Sequence, residues 1–128
     1  MNTVLRVSPT ELLENAEQIL KASPRSVAHR RAASLVARQA IEAAVRAALG
    51  DIEQPGMRWR SRFLVLETER RRTDARRGYL LWRSWSDHAH YRAYDLVPDA
   101  PTLHDQLTAT RSWIEGVAGK PSRKVLND

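Results

Sequence analysis

Met57-Arg58-Trp59-Arg60-Ser61-Arg62-Phe63-Leu64-Val65-Leu66-Glu67-Thr68-Glu69-Arg70-Arg71-Arg72 decides the fold, because this one stretch reads as either a strand or a helix. Phe63 to Leu66 are four consecutive apolar residues of the kind that fill short buried strands. A lone strand would leave both of its edges unpaired, however, and the chain holds no second convincing strand. Context therefore favours a short helix near 58–70 and an all-α chain.

The segments on either side agree. Ser8-Pro9-Thr10-Glu11 combines a capping box with proline at the first helical position, and Leu12, Leu13, Ala16, Ile19 and Leu20 follow at core-facing spacing, giving a first helix over 9–22. Ser23-Pro24 interrupts it. Ser26 or Ser23 then caps a longer helix through Leu35, Ile41, Val45 and Leu49, which Gly50 ends. Residues 51–56 carry turn chemistry in Pro55-Gly56. A fourth helix is expected from Ala75 to Leu96, where Pro98 forces a stop. The fifth is the cleanest: Leu103, Leu107, Thr110, Ile114 and Val117 recur at four and three residues, with Asp99 as cap and Gly119 as stop. The expected architecture is an antiparallel four- to five-helix bundle forming one domain over 1–119, followed by a flexible tail over 120–128.

Composition bounds the chemistry. The chain has 128 residues and no cysteine, which excludes disulfides, thiolate metal sites and cysteine nucleophiles. No apolar run approaches the length that spans a bilayer and no leader pattern opens the chain, so a cytoplasmic location is expected, with no membrane partner. Alanine supplies much of the 42% hydrophobic content, and an alanine-built face often needs a second subunit to complete its burial. The net charge is +6, and the segment Arg58–Arg77 accounts for +5 of it, with eight arginines against Glu67, Glu69 and Asp74. Such a local field favours a polyanion. A solvated arginine-rich loop is the plainer alternative.

The chemistry-bearing residues cluster in Leu81–Leu96, LWRSWSDHAHYRAYDL. At 100° per residue Arg83, Asp87, His90 and Tyr94 fall near one line, and the offset between Arg83 and His90 is only about 20°. A guanidinium can clamp phosphoryl oxygens, and an imidazole near neutral pKa can take or give the protons that RNA cleavage moves. His88 stands about 140° from Arg83 and should face elsewhere. Asp87 can orient either partner or form a plain surface ion pair, and Tyr94 can reach phosphate, stack on a base or pack in a helix contact. Arg70, Arg71, Arg72, Arg76 and Arg77 are the candidates for recruiting RNA.

Other constellations are weaker. His29 and His104 sit beside charged residues without metal-ligand spacing, and there is no HExxH, no paired acidic set, no GxxxxGK[ST], no GxGxxG and no GxSxG. No metal and no cofactor is expected.

Arg83, with His88 and His90 at the two allowed spacings behind it, resembles the arginine-to-histidine motif of the HEPN superfamily, the small all-helical domains of prokaryotic defence and toxin–antitoxin systems and some larger RNases. HRRAASLVARQAIEAAVRAAL, residues 29–49, is similar to the alanine-rich second helix of such domains, and Ala93–Leu107 to the segment behind the catalytic helix. The likeness covers roughly residues 8–118. Ser84 departs from the polar asparagine, aspartate or histidine common after the arginine. The resemblance implies a homodimer whose paired fourth helices form one composite cleft, cleaving RNA without metal to a 2′,3′-cyclic phosphate and a 5′-hydroxyl. Many members are toxins restrained by a partner, often a nucleotidyltransferase-like antitoxin; others are inactive binding modules.

The leading expectation is thus an endoribonuclease using Arg83, His90, His88 and Asp87. Its rivals are a non-catalytic nucleotide- or protein-binding module of the same fold and a DNA-associated regulator. Chelator-insensitive RNA cleavage separates the first from the second, and matched RNA and duplex DNA titrations separate the third.

Overall fold

The computed structural model describes residues 7–90 and 97–119. These form five α-helices, α1 (Pro9–Ala22), α2 (Val27–Leu49), α3 (Trp59–Thr68), α4 (Ala75–Ala89) and α5 (Ala100–Ala118), with one 3-10 turn over Gly50–Ile52. No strand occurs among the described residues.

Local chemistry sets the helix ends. Ser8 Oγ accepts from the Glu11 N–H at 3.1 Å while Glu11 Oε1 accepts from the Ser8 N–H at 3.0 Å, so α1 opens with both halves of its capping box. Ser26 caps α2 by accepting from the His29 N–H at 3.2 Å. Gly50, at φ 58°, closes α2 in a conformation that costs other residues strain. Asp99 Oδ1 accepts from the Thr102 N–H at 3.0 Å to open α5.

α2 is the central helix, in contact with each of the other four. Its alanines explain how. Ala33, Ala37, Ala40 and Ala44 are all buried, and with no side chain beyond Cβ they let four neighbours approach one rod, while Ile41, Val45 and Leu49 supply bulk. These alanines are therefore covered within one chain, without a second subunit.

Side-chain pairs fix the directions of the helices. Arg31 of α2 meets the carbonyl of His90 just past α4, and Glu42 meets Trp82, so these two helices run antiparallel. Asp74 meets Trp113, Trp85 meets Thr110 and His88 meets Gln106, so α4 and α5 do the same. At Gly78 the Trp113 ring of α5 lies directly against the α4 backbone. A Cβ there would lie 2.1 Å from Trp113 Cζ2, so only glycine fits.

α3 resolves the ambiguous segment by period. Phe63 and Leu66 are buried, Leu64 is 59% exposed, and the register is the three-to-four-residue step of a helix rather than the alternation of a strand. Trp59, Phe63, Tyr79, Trp82 and Trp113 then form a chain of rings at centroid distances of 5.6–6.5 Å that joins α3, α4 and α5. Arg62, 5% exposed, donates to both carboxylate oxygens of Glu53 at 2.8 Å and to the Met57 and Gln54 carbonyls, tying down the 53–57 connection.

α4 is shorter than the expected Ala75–Leu96. It ends at Ala89, and His90 turns to ψ 127°. At ψ 127° the His90 C=O no longer points along the helix axis, and it accepts from the Arg31 guanidinium of α2. Tyr94, and the tail expected over 120–128, lie outside the described residues. No described helix is long and apolar enough to cross a membrane.

Candidate functional site

α4 has two opposite faces. Ala75, Gly78 and Trp85 are buried, whereas Arg76, Leu80, Arg83, Asp87 and His90, at steps of four, three, four and three residues, are all exposed. Arg83, Asp87 and His90 therefore share the outward stripe. The early helix end does not remove His90 from it, because its φ of −71° and its N–H bond to Ser86 O at 3.0 Å leave N, Cα and C helical, and these atoms set the direction of Cβ. Arg83 and His90 stand roughly 10 Å apart along the axis.

Among the described residues, no hydrogen bond or ion pair engages the side chains of Arg83, Asp87 or His90. Arg83 is a fixed cation with five donors facing solvent, and His90 an imidazole on the same side. No orienting contact from Asp87 to either is present.

His88 has different surroundings. Half-buried against α5, its Nε2 lies 3.2 Å from Ser84 Oγ and 3.2 Å from Gln106 Oε1, and its ring stands edge-on to Trp85 at 5.9 Å. Gln106 Nε2 donates to Ser84 Oγ at 3.0 Å, closing a three-residue polar link between the helices. Beneath it the Trp85 indole N–H donates to Thr110 Oγ1 at 2.8 Å, and that hydroxyl donates to the Gln106 carbonyl at 2.8 Å. His88 thus serves the α4–α5 contact.

The basic cluster divides into two groups. Arg62 is the buried partner of Glu53. Arg70 donates to the Leu49 carbonyl and to Asp51, each at 2.7 Å, and Arg72 donates to the Gly116 carbonyl at 2.7 Å and to Asp74 at 3.2 Å. Each therefore satisfies a terminal carbonyl of a helix, α2 and α5 respectively, where a cation is also favoured by the helix dipole. Arg71, at φ 54°, sits between them and points outward. Arg58, Arg60, Arg71, Arg76 and Arg77 remain exposed as the surface field of this region.

Sequence reasoning missed two features. Gln106 partners His88 from a helix distant in sequence, and nothing local marks it. Leu64 and Leu80, 59% and 57% exposed, flank a groove between α3 and α4 beside Arg60, Arg76 and Arg83. Leu64 was concealed inside an apolar run that had to be helical before its outward direction could be read. Among the described residues no group of three or more histidines or carboxylates could hold a metal ion.

Searches against models of known protein families, curated proteins and solved structures return no match to this chain.

Proposed function

We propose that this chain is a HEPN-like endoribonuclease that acts without metal as a homodimer. The observation that carries the reading is the exposed guanidinium of Arg83, without a partner among the described residues, on the same stripe as His90. Arg83 stabilises charge on the phosphoryl oxygens, and His90 moves protons. As the 2′-oxygen attacks phosphorus, its proton passes to a base. The bond to the 5′-oxygen breaks and that oxygen is protonated, leaving a 2′,3′-cyclic phosphate and a 5′-hydroxyl.

Two proton transfers need a base and an acid. His88 is engaged with Ser84 and Gln106, so the stripe offers one imidazole per chain, and a two-fold partner supplies the second. Arg71, Arg76 and Arg77 hold the RNA by charge, without reading sequence.

The test is RNA cleavage by purified wild type, R83A and H90A in the presence of chelator. Wild type cleaves and both variants do not, with circular dichroism and sedimentation unchanged. Unaltered cleavage by H90A removes its proton-transfer role. Identical wild-type and R83A traces make the domain a non-catalytic binding module.

A further inference from the structure

The outer face of the α3–α4 pair combines features found together nowhere else among the described residues. Leu64 and Leu80 are the two most exposed large apolar side chains, and both line one groove of about 410 Å³. Phe63, Ala75 and Tyr79 also line it, and Phe63 meets Tyr79 edge-on at 5.6 Å, so the aromatic part is held by ring packing. Arg60, Arg76 and Arg83 surround it against the single carboxylate of Glu67. Among the described residues α3 packs on α2 and α4, and its Phe63 also meets Trp113 of α5 on the buried side, which leaves Leu64 59% exposed on the outer face.

We infer that this groove docks an acidic amphipathic helix of a partner protein, one that presents leucine-like side chains at three-to-four-residue spacing with Asp or Glu on either side. The apolar stripe of such a helix covers Leu64 and Leu80, removing two exposed leucines from water, while its carboxylates meet the three arginines. The other occupants fit less well. A second copy placed symmetrically over the groove would bring six arginines together against two glutamates. RNA would satisfy the arginines but would cover both leucines with a polar, wet interface, and Tyr79 already stacks one face on Trp82 at 6.0 Å. The groove shares Arg76 and Arg83 with the proposed RNA site, so a docked helix would cover both, and the test reads peptide binding rather than cleavage.

The probe is a labelled 18-residue helical peptide with leucines at positions i, i+3, i+4 and i+7 and glutamates on its flanks, titrated with the full chain by fluorescence anisotropy. One control peptide replaces the leucines with serine, another the glutamates with lysine. Only the first should bind, more weakly as salt rises, and L64A/L80A and R60A/R76A should each weaken it by about tenfold or more. Both leucines are exposed, so L64A/L80A should keep the wild-type circular dichroism and melting temperature. Equal binding of the serine peptide, unchanged affinity of L64A/L80A, or no binding up to about 1 mM overturns the inference. So does sedimentation showing a dimer that L64A/L80A disperses, or displacement of the peptide by an RNA oligonucleotide whose own affinity falls in L64A/L80A.

Discussion

Replacing Gly78 with alanine sets two opposed effects against each other. In an exposed helix the change stabilises by about 1 kcal/mol, because alanine has the higher helix propensity. Here the new methyl would stand 2.1, 2.5 and 2.7 Å from Cζ2, Cε2 and Cη2 of Trp113, where ordinary contact begins near 3.4 Å. The ring must retreat by more than 1 Å or the helices must separate. Trp113 is 4% exposed, packed 6.5 Å from Phe63, and its indole N–H donates to the Asp74 carbonyl at 2.8 Å, so retreat also stretches that bond. Overpacking costs about 1–3 kcal/mol and a weakened buried hydrogen bond about 1 kcal/mol more. Net of the propensity gain, G78A should lose about 1–3 kcal/mol. Urea denaturation followed by circular dichroism reads this as a lower midpoint at unchanged slope. Gly116 is the internal control: a Cβ there meets only Asp74 Oδ2 at 4.0 Å, so G116A should gain up to about 1 kcal/mol. A G78A protein as stable as wild type would refute the close seating of the Trp113 ring on Gly78.

Three further outcomes follow from the same packing. The hydrogen bonds from Arg62 hold the Glu53 carboxyl below its ordinary 4.5, against a smaller opposing effect of burial, so the pair's contribution is complete above pH 4.5 and is lost as pH falls through the lower folded value. E53Q should therefore show a flatter loss of stability with acid below pH 4.5 than wild type, measured by thermal melts across that range. W85F removes the indole donor to Thr110 Oγ1 and should cost about 1–3 kcal/mol in urea titration, against little effect from the exposed L80A. S8A leaves the Glu11 N–H without its side-chain acceptor and should lower stability by about 1 kcal/mol in the same assay.

Helix ends and helix types were legible because their signals are local. Ser8 with Glu11, Ser26, Gly50 and Asp99 act through groups at most four residues away, and each stands where its chemistry requires. The outward stripe of Arg83, Asp87 and His90 was legible for the same reason, since angular position on a helix needs only a count of residues. What escaped was tertiary contact. The His90 carbonyl at the end of α4 is met by Arg31, 59 residues earlier in the chain. The surroundings of His88 depend on Gln106, and the inward commitment of Arg70 and Arg72 depends on carbonyls of Leu49 and Gly116. In sequence all eight arginines between Arg58 and Arg77 look equivalent, and only packing separates the three bonded to carbonyls and carboxylates from the exposed five.

The turn that follows α3 governs more than its own conformation. Because Arg70 and Arg72 lie on either side of the left-handed Arg71, one short stretch of backbone latches the far ends of two helices whose acceptors, at 49 and 116, are distant in sequence. Register at this point is shared. Lengthening the turn by one residue would swing both guanidinium groups out of reach together, fraying the ends of α2 and α5 at once.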